Sequence, residues 1–328
     1  MENRAHYRSL FWPVVLIGVG VLWLLTNLGY LTAVRMVEIW RLWPVLLILA
    51  GVDILFARRM PLIGALIGVV VVVLIGYGLL AGVPLPTGAQ AGVITDHLVT
   101  PVGQAQKASV TLDFWSDPVS IYSLSDSSDL IAANVTHTGA VNFSSTGNTT
   151  KDVSLSHSDS FTSFITWGIT PETRADVGLT PMIPLDLRIS AASGSSTMDL
   201  SGLNLGSLVI DSGSGSVNLT LPKSGIAGAT RIHTASGSAE IVIPANAPVN
   251  LATDSGSGSL HIQVPAGAAL RIDAVADGSG SLSLPSGMLQ TRRGNGDTGT
   301  WETSNFQTAP NKITITLQGV GSGSISIN

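Results

Sequence analysis

Asp211 to Pro222 reads DSGSGSVNLTLP, and Asp254 to Pro265 reads DSGSGSLHIQVP, 43 residues further on. Between them, His233 to Pro244 reads HTASGSAEIVIP. Upstream lies ISAASGSSTMDL, Ile189 to Leu200; downstream come ADGSGSLSLP, closing on Pro285, and GVGSGSISIN, closing on Asn328. One glycine marks each copy: Gly194, Gly215, Gly237, Gly258, Gly280 and Gly323, in steps of 21, 22, 21, 22 and then 43, which is two periods. A fixed period of this length is the signature of coils stacked one on the next.

The pattern inside the period gives the local structure. Two residues after each marker stand Ser196, Val217, Ala239, Leu260, Leu282 and Ile325; four after stand Met198, Leu219, Ile241, Ile262, Leu284 and Ile327; six after stand Leu200, Leu221, Ile243 and Val264. The intervening residues, such as Asn218, Thr220, Glu240, His261 and Gln263, are mostly polar. Alternation with period two predicts a strand with one face buried. Before the marker, Leu187 and Ile189, Leu208 and Ile210, and Ile232 alternate in the same way. Each coil therefore reads as strand, Gly-Ser turn, strand and Pro-ended loop. Glycine is expected at the corner for its tolerance of positive φ. Stacking at about 4.8 Å lines the inward residues into aliphatic columns. Leu219, Ile241 and Ile262 form one inward column; Asn218, Glu240 and His261 form the outward one. A flexible Gly-Ser linker is the other reading of such runs, but linkers do not carry apolar alternation at a fixed phase.

Charge is sparse and unevenly placed. Only 11% of the 328 residues are charged, against about 25% in an average soluble domain. Residues 1–84 hold six Arg and three acids, net +3; the remainder holds 10 basic and 18 acidic residues, net −8. An acidic outer part without a basic stripe argues against nucleic acid as a partner. With no Cys, the chain has no disulfide, thiolate metal site or Cys nucleophile.

The first 83 residues are read as a membrane domain with three transmembrane helices, 10–31, 40–57 and 61–83; about 20 apolar residues cross a bilayer. FWPVVLIGVGVLWLL from Phe11 and LWPVLLILAGVDILF from Leu42 match at eight of fifteen positions, as a duplicated segment would. Asp53 lies five residues before Arg58 and reads as an interfacial ion pair with Arg58 and Arg59. An intramembrane relay is the alternative. Arg4, Arg8, Arg58 and Arg59 placed inside put the C-terminal part outside the cytoplasm, with Arg35 and Arg41 dissenting. Residues 84–106 read as a linker, and 107–328 as the extracytoplasmic β-solenoid. ASVTLDFWSDPVSIYSL and DLIAANVTHTGAVNFSS read as early coils, and TWGITPETRADVGLTPMIPLDL as an excursion. Ser286 to Asn311 reads as a polar loop replacing one coil, after which ITITLQGVGSGSISIN completes the stack.

PLDLRISAASGSSTMDLSGLNLGSLVIDSGSGSVNLTLP resembles the toast-rack domain, an adhesin-like β-solenoid, over roughly residues 107–328. The paired Trp-Pro segments resemble the membrane region of LiaF-type bacterial envelope proteins, over roughly residues 8–80. The resemblance implies an α-helical membrane region plus an all-β, single-stranded solenoid of about 21–22 residues per coil. It also implies a cell-envelope protein associated with cell-wall stress signalling through a partner sensor kinase. Three spans depart from the four usual in LiaF-type proteins. The family brings no catalytic motif.

The residues themselves show no catalytic motif either. His6, His97, His137, His157, His233 and His261 make no HExxH pair, the glycines lack a GK[ST] ending, and no G-x-S-x-G elbow stands out. One arrangement places ligand-type side chains together: Asp211, His233 and Asp254, each four residues before a marker, form a column on successive coils. It can be read as a metal site or as a surface ladder in which His separates two carboxylates; the ladder is preferred. No catalytic, cofactor or metal residue is assigned. The expectation is a non-enzymatic envelope protein acting through contacts with the bilayer, a sensor kinase or another envelope protein. The alternative is a structural or adhesive module that self-associates through the solenoid ends.

Overall fold

The computed structural model describes residues 93–158 apart from 115, and 173–328 apart from 277, 297 and 320. The three expected spans, Asp53 and its arginines lie outside the described residues. The described part is all β, in two sheets of 10 and 11 strands. The expected linker over 84–106 is strand in its second half: β1 (Ile94–Pro101) closes one edge of the 10-stranded sheet.

Each coil puts one strand in each sheet. The regular array is β8 (Leu185–Ala191) with β9 (Ser196–Asp199), β10 (Leu205–Ser212) with β11 (Val217–Thr220), β12 (Thr230–Thr234) with β13 (Ala239–Val242), and β14 (Val249–Ser255) with β15 (Leu260–Gln263). All neighbours in this array are parallel and in the expected register. Leu219 faces Ile241, which faces Ile262, and Asn218, Glu240 and His261 align beside them. Leu219, Ile241 and Ile262 are buried, Asn218 and Glu240 exposed, and His261 half-buried. In the 11-stranded sheet Leu187, Leu208, Thr230 and Leu251 form one inward column. Thr230 and Thr253 interrupt these aliphatic columns, and their buried hydroxyls find no hydrogen-bond partner among the described residues.

The marker glycines are needed for a different reason from the one expected. Gly194, Gly215, Gly237, Gly258 and Gly323 are not among the residues with positive φ. Instead, a Cβ on Gly215 would run into the Gly194 carbonyl oxygen. One on Gly237 would meet the Gly215 carbonyl, one on Gly258 the Gly237 carbonyl, and one on Gly323 the Gly258 carbonyl. The turns stack backbone on backbone, so a side chain would force the coils apart.

At both ends the stacking order departs from chain order. β2 (Lys107–Phe114) and β3 (Val119–Ser123) form the first coil, and β6 (Thr150–Ser158) and β7 (Arg174–Leu179) the next. Yet β2 lies between β6 and β8, and β3 between β7 and β9, so the first coil is one layer inside. Residues expected to be an excursion thus supply β7. DLIAANVTHTGAVNFSS, expected to be a coil, forms instead β4 (Asp129–His137), antiparallel to β1 and β7, and β5 (Ala140–Thr146), antiparallel to β6.

The far end mirrors this. β16 (Ala269–Ala274) and β17 (Ser281–Ser283) form a coil; β20 (Lys312–Gly319) and β21 (Ser324–Ile327) form the last one. β20 sits between β14 and β16, and β21 between β15 and β17. The tail does not complete the stack from outside but enters it. The expected polar loop holds β18 (Leu289–Arg293) and β19 (Gly299–Glu302), an antiparallel pair laid against β16. Eight coils are therefore stacked among the described residues, with antiparallel strands at both ends.

The inner places go to the more apolar coils. The last coil buries Ile313, Ile315, Leu317, Ile325 and Ile327, while Leu282 and Leu284 of the outermost coil remain half-buried. Large aliphatic side chains gain most from the layer covered on both sides.

Candidate functional site

The sequence-derived column exists. Asp211 pairs in register with His233, and His233 with Asp254, on the outer face of the 11-stranded sheet. Its members are engaged by ion pairing. Arg188, on the neighbouring strand β8, holds Asp211 at 2.8 Å, and His233 Nδ1 lies 3.5 Å from Asp254 Oδ2. Among the described residues no three His, Asp or Glu side chains converge to hold a metal ion.

The same face carries further cross-strand pairs, because parallel strands in register bring side chains of successive coils side by side. Lys107 Nζ meets Asp186 Oδ2 at 2.5 Å, and the Ser207 hydroxyl donates to Asp186 at 2.9 Å. Burial would raise the Asp186 carboxyl, but the hydrogen bonds from Lys107 and Ser207, with the Lys107 charge, outweigh it and hold the group below the usual range. At the far end, Asp273 accepts from Arg271 at 2.9 Å and from the Thr300 hydroxyl at 2.7 Å. There too burial alone would raise the carboxyl; the bonds from Arg271 and Thr300 and the charges of Arg271 and Arg292 bring it below the usual range. These contacts clip β16 to the antiparallel strand β19.

A second cluster carries no signature in the repeat. In the first coil, Ser116, Asp117 and Pro118 stand where later coils have the Gly-Ser turn. The Asp117 backbone carbonyl continues the glycine column, against Gly194. The Asp117 carboxylate turns inward and meets Nδ1 of His157, the last described inward residue of β6. Their side chains are 1% and 0% exposed. The His157 ring lies 5.5 Å from that of His137 at the end of β4. His137 Nε2 faces Asp96 Oδ2 of β1 at 3.1 Å, and its Nδ1 faces the Gly139 carbonyl at 2.9 Å. Both ring nitrogens of His137 thus meet acceptors. The cluster ties β1, β4, β6 and the β2–β3 corner together. Being shielded, its Asp117–His157 pair fastens the end of the stack and presents no group to solvent. The sequence holds one signal of it: FWSDPVS occupies the place of SGSGSVN, and an Asp there lacks the reason the glycines have.

Residues 90–244 match the family model described as the N-terminal domain of toast_rack, and residues 10–55 match the LiaI-LiaF-like transmembrane region. Among curated proteins none matches. Among solved structures, a candidate cell adhesion protein from Clostridium sporogenes is similar at 15% identity and a TM-score of 0.45, over 72% of this chain and 99% of its own. A candidate adhesin from Bacteroides fragilis is similar at 13% identity and a TM-score of 0.35, over 74% of this chain and 100% of its own. The chain joins a LiaI-LiaF-like transmembrane region at its N-terminus to a toast-rack N-terminal domain.

Proposed function

We propose that this membrane-anchored chain is a non-enzymatic envelope protein that senses or scaffolds against envelope stress through protein contacts, with its β-solenoid outside the cytoplasm. The observation that supports this most is the division of labour within the stack. Inward faces are aliphatic columns, while the outer faces are occupied by paired ions, such as Arg188–Asp211 and Lys107–Asp186, and by hydroxyls. The outer faces of the solenoid offer surface for partners, a sensor kinase among them. Deleting residues 93–328 while keeping the membrane region should abolish any envelope-stress response that depends on the protein. A full response from the membrane region alone would contradict the reading. Protease added to intact cells or spheroplasts should remove the solenoid; protection until the membrane is opened would put it in the cytoplasm.

The second reading is a surface module that self-associates. Its support is the edges: β18 is exposed along its whole length, with Leu289 61% accessible. Unpaired edge strands are templates for another chain.

A further inference from the structure

We propose that the first end of the solenoid rests on the lipid bilayer through an apolar strip on the outer face of the 10-stranded sheet, formed by Val99, Ala132, Tyr122 and Leu124 around Gly178. The proposal rests on the membrane-anchored reading above and adds to it a surface of the β region that touches lipid.

Register makes the strip. Val99 pairs with Ala132, Ala132 with Gly178 and Gly178 with Tyr122, in one row across β1, β4, β7 and β3. The row faces outward, because the residues that flank it along the strands, Ile131, Ala133, Val177, Leu179 and Ile121, are buried. Gly178 leaves room for its neighbours: a Cβ there would run into the Leu124 side chain and the Tyr122 ring, which lie across it. Val99 and Tyr122 remain 53% and 40% exposed. Past β3, the same level of this face carries Asp199, Thr220, Val242 and Gln263. The apolar part therefore stops where the regular array begins. Val93, Ile94 and Met182, also exposed, precede the array in the chain; Val275 and Leu289 follow it, and no large exposed hydrophobic lies in β8–β15. Polar side chains beside the strip are paired among themselves: Arg174 with Asp176 at 2.8 Å, His97 with Asn134 at 2.5 Å and Thr95 with Thr136 at 2.9 Å.

The occupant follows from the chain. β1 is the edge strand of its sheet and the first described strand. Residues 84–92 separate the apolar run 61–83 from Val93, and nine residues span at most about 30 Å. With the run 61–83 in the membrane, every copy holds β1 within that distance of a lipid surface. Lipid is thus presented to the strip at an effective concentration that a free partner does not reach. The chemistry of the strip matches it. Aliphatic side chains with one Tyr suit the boundary between headgroups and acyl chains, where Val and Leu leave water and the Tyr hydroxyl stays hydrated. Polar neighbours already bonded to each other lose less on leaving water than open ones. The strip carries no charge, and residues 85–328 carry a net −8, so the contact is apolar and needs no anionic lipid.

The test uses full-length protein in phosphatidylcholine vesicles that contain nitroxide-labelled phosphatidylcholine. The sequence has no Cys, so each variant carries one thiol, labelled with an environment-sensitive fluorophore. Val99→Cys lies in the strip, Asn218→Cys on the same sheet in the regular array, and Ser144→Cys on β5, the edge of the other sheet at the same end of the stack; all three positions are exposed. The label at 99 should be quenched several-fold more strongly than those at 144 and 218. Tyr122→Ser, which removes an exposed ring, should lower the quenching at 99 toward the level at 144. Equal quenching at 99 and 144 would mean that the end is near lipid without the strip touching it. Weak quenching at all three would mean a strip held away from lipid. A label at 99 shielded from aqueous iodide yet untouched by the nitroxide lipid would assign the strip to a protein surface. Each of these three results overturns the proposal. A chain that alkaline carbonate strips from the vesicles would refute the membrane-anchored reading itself, which is a separate result.

Discussion

The middle of the stack and its two ends obey different rules. From β8 to β15 each coil lies on the one before it, and chain order is spatial order. At both ends the order inverts, and the first and last coils lie one layer inside. Inward and outward positions follow from alternation in both regions. Which coil neighbours which does not, because all coils offer similar Gly-Ser turns and similar aliphatic faces. The ends are settled by burial. The coil with Phe114 and Ile121 lies inside the one with His157, and the coil rich in Ile lies inside the one with Ala274.

The comparison is most severely tested by truncation. In a simple stack, removing the final coil would trim an end. Here, deletion of Lys312–Asn328 opens the interior and removes five buried aliphatic side chains. At about 1.5–3 kcal/mol each, the loss is of the order of a typical domain's whole stability, roughly 5–15 kcal/mol. Thermal melting of the truncated chain should show no cooperative transition at the wild-type temperature; a melt shifted by only a few degrees would place that coil outside.

Within the middle, register decides. Ile241→Asp puts a carboxylate into a fully buried column, with an expected cost of about 4–5 kcal/mol. Glu240→Lys, one residue away, loses only the 2.6 Å bond from Gln263 and should stay within about 1 kcal/mol. Equal melting temperatures for the two would break the register.

Glycines separate next. Gly237→Ala must push against the Gly215 carbonyl, at about 3 kcal/mol. Gly267 has φ +77° and nothing within 4 Å of a Cβ, so Gly267→Ala meets only backbone strain, about 1–2 kcal/mol. Denaturant midpoints should rank them in that order.

The last effect is electrostatic and belongs to the end. Asp273→Asn should cost about 1–2 kcal/mol at neutral pH by weakening the Arg271 and Thr300 bonds. The Asp273 carboxyl is held below its ordinary 3.8 in the fold. Its contribution is therefore present above that pH and lost as pH falls below it. Melting curves of wild type and variant should converge in acid; a constant gap down to the acid limb would remove the ionised carboxylate from the account.

Much of the array is legible in the amino-acid sequence. The period, the inward columns from Met198 to Ile262, and the alignment of Asp211, His233 and Asp254 follow from spacing alone, since parallel in-register coils preserve phase. The glycine positions are legible but their cause is not: proximity of a neighbouring turn is a tertiary fact. The intercalated ends are hidden because pattern gives facing and not adjacency. The doubled step from Gly280 to Gly323 reads as a coil skipped, whereas β18 and β19 turn back as an antiparallel pair and the chain then re-enters the stack. The Asp117–His157 pair joins residues 40 apart, outside the period, so no repeat points to it.

The intercalation of the chain's last coil is tested most directly by amide hydrogen exchange at Ile325, Ser326 and Ile327 in the intact chain. A strand bonded on both sides exchanges only when the stack opens. Protection comparable with that of Ile241 and Ile262, in the middle of the array, is the predicted result. Rapid exchange of these three amides, as at a fraying terminus, would contradict it.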